Sequence, residues 1–80
     1  MDKKTILETI NSIFIEVLEN RSIVLTPETT AGDVAEWDSL THIQLVVAIE
    51  KKFGVRFTSR EIQSWKNVGQ LVDTLSTKLG

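Results

Sequence analysis

Cysteine is absent from the chain and histidine occurs once. No disulfide or thiolate metal site can form, one histidine is a poor start for a metal centre, and nothing points to an oxidising compartment. The chain also has no thiol of its own, so any thioester chemistry needs a sulfur brought by a cofactor. Basic charge is in short supply: nine Lys and Arg against eleven Asp and Glu leave a net charge of −2. Phosphate binding needs a concentrated basic surface, so nucleic acid is not expected as a partner. The N-terminal MDKKTILETI has no long apolar stretch, and no run approaches the ~20 residues of a membrane span. No membrane insertion and a cytoplasmic location are expected.

What is present is ordinary for a globular chain, with 41% hydrophobic and 25% charged residues. Eighty residues, 1–80, make one domain. Such a domain buries a modest core and has no room for a deep, well-supported catalytic cavity.

Helical periodicity dominates. Ile6, Leu7, Ile10, Ile13, Phe14, Val17 and Leu18 recur at three- and four-residue spacing, with Lys3, Lys4, Glu8, Asn11 and Glu19 mostly off that stripe. The pattern ends at Asn20-Arg21-Ser22. Residues 20–37 form a long connection. Thr26-Pro27-Glu28-Thr29 reads as a capped turn with proline at a first helical position, Gly32 and Asp33 add turn signals, and Ile23, Leu25, Val34 and Trp37 pin the loop to the body. A loop this long in so small a domain is more often functional than idle.

A second helix runs from Ser39 to Phe53 and stops at Gly54. Thr58-Ser59-Arg60-Glu61 fits a capping box and opens a short third helix. Asn67 caps a fourth, with Val68, Leu71, Val72, Leu75 and Leu79 on one face. The predicted fold is all-α, a small four-helix bundle with a long first loop and a short third helix.

The second helix carries more hydrophobe than its own bundle needs. Leu45, Val46, Ile49 and Phe53 fall on one side, while Leu40, Ile43 and Val47 fall on a neighbouring sector. Either the buried face is broad, or the second sector is a partner-docking patch at the start of the helix.

That start is written Glu36-Trp37-Asp38-Ser39-Leu40. Asp38 is a good N-cap, which places Ser39 at the first helical position. Free backbone N–H groups and the positive end of the helix dipole gather there, so a phosphate on Ser39 is expected to be electrostatically welcome. Asp38, Ser39 and His42 have the residue types of a hydrolytic triad, but Asp38 cannot orient His42 from behind the serine, and no nucleophile elbow is present. His42 falls on the inward side, where a structural role under the first loop competes with a functional one. Trp65, between the third and fourth helices, is either packing or the lining of a pocket.

The chain resembles an acyl carrier protein over nearly its whole length. The resemblance lies in Asp38-Ser39-Leu40 after a long loop, then Leu45, Ala48-Ile49-Glu50 and Phe53-Gly54-Val55, and the two closing helices. It implies a phosphopantetheine-binding domain over 1–80 in which Ser39 carries 4′-phosphopantetheine, taken from coenzyme A and joined through a phosphodiester. Asp38 and Leu40 would flank Ser39 for recognition by the modifying phosphopantetheinyl transferase. The resemblance further implies a monomeric, non-catalytic carrier that is the substrate of acyl-loading and acyl-processing enzymes, with no catalytic or metal-binding residue. Glu36, Leu40, Ile43 and Val47 are the expected docking residues.

Two features depart from familiar fatty-acid carriers. Residues 28–50 hold five acids (Glu28, Asp33, Glu36, Asp38, Glu50) and no Lys or Arg, whereas residues 51–66 hold five bases (Lys51, Lys52, Arg56, Arg60, Lys66) and the single acid Glu61. Trp37 stands where a small residue is more usual. Both favour a specialised pathway (polyketide-like, modified short acyl or cell-surface). The alternatives are a housekeeping fatty-acid carrier, a peptidyl or aminoacyl carrier, whose glycine-rich approach to the serine Glu36-Trp37 does not match, and an unmodified helical interaction module.

Overall fold

Each helix begins where a side chain can take over the N–H groups that the first turn leaves unpaired. In the computed structural model, which describes residues 2–80, Asp2 accepts from Thr5 N–H and opens α1 (Lys3–Leu18). Asp38 opens α2 (Ser39–Phe53), Thr58 opens α3 (Ser59–Ser64) and Asn67 opens α4 (Val68–Leu79). The ends are equally local. Gly54 adopts φ 67°, which a glycine takes without strain, and its N–H returns to the Glu50 carbonyl at 2.8 Å. Glu19 closes α1 at φ 54° without that advantage.

α1 packs against both α2 and α4. Ile6, Ile10, Ile13, Phe14 and Leu18 of α1 meet Leu45 and Ile49 of α2 and Val68, Leu71, Val72 and Leu75 of α4 in one core. α3 contributes no fully buried residue. It is held instead by its capping box, by a Glu61–Lys78 ion pair at 3.1 Å and by Trp65, whose indole N–H donates to Thr74 Oγ1 at 3.0 Å. Trp65 meets Phe57 edge-on at 4.9 Å, so packing is its place in the fold.

The long connection is tied down by polar groups as much as by its buried Ile23, Leu25 and Val34. Asn11 sits off the apolar stripe of α1 yet is half-buried. Its side chain donates to the Ile23 carbonyl at 3.2 Å and accepts from Leu25 N–H at 2.6 Å, pairing with the loop as a neighbouring strand would. Residues 26–29 form the expected capped turn, closed by Thr29 N–H to the Thr26 carbonyl at 3.0 Å and capped by Thr26 N–H to Thr29 Oγ1 at 2.8 Å, and no helix follows from Pro27. The reason is tertiary: the Pro27 and Thr29 carbonyls turn away to accept from Gly69 and Val68 N–H, each at 2.8 Å. The only regular piece of the connection is the short 3₁₀ helix Ala31–Asp33.

This joint leaves no space at residue 69. A Cβ there would lie 2.9 Å from the Pro27 carbonyl oxygen and 3.2 Å from its Cβ. Gly69→Ala is therefore expected to lose about 1–3 kcal/mol, the usual cost of overpacking. A urea midpoint equal to that of the unsubstituted chain would show that the loop yields freely.

Candidate functional site

The sequence Trp37-Asp38-Ser39 sets up the site through one division of labour. Asp38 Oδ1 accepts from both Leu40 N–H and Thr41 N–H at 2.9 Å, and Thr41 Oγ1 in turn accepts from Asp38 N–H at 2.8 Å. Because Asp38 does the capping, Ser39 stands exposed at the first turn of α2. The Thr41 hydroxyl also donates to the Glu36 carbonyl at 2.8 Å, fixing the approach of the loop.

The same arrangement bears on the phosphate expected at Ser39. The N–H groups of Leu40 and Thr41 are already engaged by a carboxylate, and a phosphate on Ser39 would sit beside that negative charge. Those two N–H groups at the helix start are therefore already occupied. An exposed hydroxyl at the head of a rigid helix fits a tethered phosphodiester arm on steric grounds.

Asp38 is held below the ordinary carboxylate range chiefly by the Thr41 N–H, with help from Leu40 N–H. Asp2 is lowered by the Thr5 N–H, and Glu61 by the Thr58 N–H and Lys78. Three helix starts thus rest on ionised carboxylates. A lowered folded-state value contributes stability above the unfolded value, about 3.9 for Asp and 4.3 for Glu, and that stability is lost as pH falls through the folded values. The urea midpoint should therefore decline as pH falls below about 4, and Asp38→Asn, which keeps the acceptor but not the titration, should lessen the decline. An unchanged slope in that variant would show that Asp38 carries none of it.

His42 is not paired with Ser39 or Asp38. Its Nδ1 accepts from the Trp37 indole N–H at 3.0 Å, and the two rings stack at 24° with centroids 5.9 Å apart. Trp37 also meets Phe14 edge-on at 4.9 Å, and His42 lies 6.2 Å from Trp65. The aspartate caps the helix and the imidazole holds the tryptophan, so the three triad-type residues form no relay. Ala31, Trp37, Asp38, Ser39 and His42 enclose a shallow cup of about 280 Å³. Ala31 joins the site only through the folded loop, and no sequence signal marks it.

Leu40, Ile43 and Val47 are 68%, 62% and 43% exposed, whereas Leu45, Val46 and Ile49 are at most 5% exposed. The second apolar sector of α2 is therefore a surface stripe and not a broad buried face. Glu36 is exposed and accepts from the Asn20 side-chain amide at 2.9 Å. Glu50, counted above with the acids, is turned inward on the chain: its carboxylate accepts from Phe57 N–H at 2.8 Å and braces the turn after α2. Among the described residues no set of three or more His, Asp or Glu side chains is placed to hold a metal ion, and no helix is long and apolar enough to cross a membrane.

The site is thus an exposed serine hydroxyl at a capped helix start on a small helical bundle. Comparison with known proteins gives the family. The family described as a phosphopantetheine attachment site matches residues 8–75. An acyl carrier protein of Acidothermus cellulolyticus is 36% identical over 76 residues, covering 95% of this chain and 90% of that one. One from Thermosynechococcus vestitus is 28% identical over 79 residues, covering 99% and 98%. The solution structure of a holo acyl carrier protein from Geobacter metallireducens superposes with a TM-score of 0.86 at 44% identity, covering 91% of this chain and 84% of that one. The chain belongs to the acyl carrier protein family. It is a non-catalytic carrier whose prosthetic group is covalently attached 4′-phosphopantetheine.

Proposed function

We propose that Ser39 is the attachment point and that the chain carries acyl intermediates as thioesters on the arm fixed there. The observation that carries this is the exposed Ser39 at the first turn of α2, next to an aspartate that does the capping. In the modification, the Ser39 oxygen forms a bond to the phosphorus that bears the pantetheine in coenzyme A. The phosphorus–oxygen bond to the nucleotide half breaks, and the hydroxyl proton passes to a base of the transferase. Once attached, the arm supplies the thiol that this chain lacks. Incubation with coenzyme A and a phosphopantetheinyl transferase should raise the intact mass by one phosphopantetheine. An unchanged mass, with a control carrier fully converted, would refute the assignment.

Partners that reach the arm must cover the helix start. There Glu36 and Asp38 offer negative charge, and Leu40, Ile43 and Val47 offer apolar contact; Asp38 and Leu40 also flank the serine for the transferase. Lys51 lies on the same face as Leu40 and Val47, about 16 Å along the axis from Leu40. A partner with a continuous positive tract would meet that cation, and repulsion of this kind rejects wrong partners more than it sets affinity. The reversal of charge along α2, together with Trp37, supports a carrier dedicated to a specialised pathway, working as a cytoplasmic monomer.

Leu40→Ala or Val47→Ala should weaken acyl transfer from a cognate partner by about 1 kcal/mol or more where the residue is a hot spot. Lys51→Glu with Lys52→Glu should improve transfer by a generic fatty-acid partner at low salt and lose the advantage at high salt. Transfer rates for each variant at two salt concentrations decide the matter. Wild-type rates for both apolar variants with every partner would remove the docking role.

A further inference from the structure

We infer that a cleft at the far end of α2 receives an acidic side chain of the acyl-processing partner, so that the matching partner surface is bipolar: cationic opposite Ser39 and acidic about three helical turns away. The inference rests on docking along Leu40, Ile43 and Val47. Val47 ends that stripe and also lines the cleft, a recess of about 390 Å³ formed by Val47, Glu50, Lys51, Gly54, Val55 and Arg56. The two surfaces are therefore continuous. The recess exists because the chain folds back at Gly54, where the N–H groups of Gly54 and Val55 both return to the Glu50 carbonyl, at 2.8 and 3.1 Å. That reversal brings Arg56 to the same recess as Lys51.

Charge selects the occupant. Lys51 and Arg56 are exposed, and the ion pairs among the described residues are Lys3–Asp73 and Lys78–Glu61, so neither cation of the recess has a carboxylate partner within the chain. Glu50 is the acid of the lining, and its carboxylate is held by Phe57 N–H at 2.8 Å. Two cations against one carboxylate leave the lining net positive. A guanidinium matches a carboxylate through paired N–H donors, and an ammonium beside it adds a point charge. Val47 and the half-buried Val55 supply apolar contact for the stem of the same side chain. A glutamate set in an apolar surface meets all of these conditions. At the other end of the stripe, Glu36 and Asp38 call for cations. Opposite charges at the two ends of one interface fix its direction, and a partner that is cationic along its whole face meets repulsion at Lys51 and Arg56.

The probe is a short amphipathic helical peptide of leucine and glutamate, titrated into the holo protein and followed by NMR. It should shift the amide resonances of Lys51, Gly54, Val55 and Arg56 together with those of Ile43 and Val47, and bind more weakly as salt rises. Lys51→Glu with Arg56→Glu should weaken it roughly tenfold, since two exposed charge contacts are replaced by repulsion. Arg60→Glu with Lys66→Glu changes the net charge equally but outside the recess, and should leave the affinity close to that of the unsubstituted chain. A leucine–lysine peptide of the same pattern should shift Glu36, Asp38 and Leu40 instead, and should bind the recess variant no more weakly. Should the charge-reversed recess fail to fold, Lys51→Gln with Arg56→Gln takes its place and should still weaken the leucine–glutamate peptide more than Arg60→Gln with Lys66→Gln does. Equal losses for the two pairs of substitutions, or shifts at Ile43 and Val47 without any at the recess, overturn the recess and leave the stripe as a docking surface. No shift at either place overturns both.

Discussion

Ser39→Ala will abolish incorporation of phosphopantetheine while leaving the helical circular dichroism and the urea midpoint close to those of the unsubstituted chain. The effect is all-or-none because the oxygen removed is the atom that forms the new bond. The fold should not notice, for a specific reason. The capping hydrogen bonds to Leu40 and Thr41 belong to Asp38, and Ser39 is exposed. Loss of an exposed hydroxyl at a position that needs only helical backbone is usually worth no more than about 0.5 kcal/mol. Were Ser39 instead the cap, the same substitution would cost about 0.5–2 kcal/mol and the two effects would be confounded. Intact mass after treatment with the transferase reads the first quantity and urea unfolding the second. A Ser39→Ala protein that still gains one phosphopantetheine would place the attachment elsewhere.

Phe14→Ala will have the largest effect on stability. The ring is 1% exposed, it belongs to the face of α1 that packs on α2 and α4, and it walls Trp37 at 4.9 Å. Truncating such a ring costs about 3–5 kcal/mol, from lost transfer energy and the cavity left behind. A chain of eighty residues has roughly 4–12 kcal/mol of stability in all, at about 0.05–0.15 kcal/mol per residue. The substitution therefore removes a large share of the whole, and a substantial unfolded fraction is expected at modest temperature. Tryptophan emission should shift to the red as Trp37 loses its wall, and the urea midpoint should fall steeply. A loss below about 1.5 kcal/mol would mean that the neighbouring side chains collapse into the space. Because Phe14 is not among the residues that line the cup at Ser39, the molecules that remain folded should still accept the arm, which separates a stability residue from a site residue.

The elements of this protein were legible in its sequence because their signals are local. Asp38 and Asn67 as caps, the Thr58–Glu61 box and Gly54 as the helix stop act within one turn of the residues they govern, and the observed α2 spans Ser39–Phe53 as its period and caps predict. The placement of Ser39 at the head of that helix follows from the same short-range chemistry. So does the separation of Leu45, Val46 and Ile49 from Leu40, Ile43 and Val47, since angle around a helix is set by residue spacing alone.

Tertiary structure decided what depends on partners distant in the chain. Asn11 has the look of a solvent-facing residue until Ile23 and Leu25 arrive to pair with it. Pro27 has the look of a helix start until α4 draws its carbonyl to Gly69, and Glu50 looks like surface charge until Phe57 N–H claims it. Trp37 and His42 lie five residues apart, but the direction of their hydrogen bond and the cup they form with Ala31 follow from how the first loop folds over α2. A hydrogen bond between remote segments leaves no period and no motif in the sequence, because either partner alone is an ordinary polar residue. Only the packed chain brings donor and acceptor within reach.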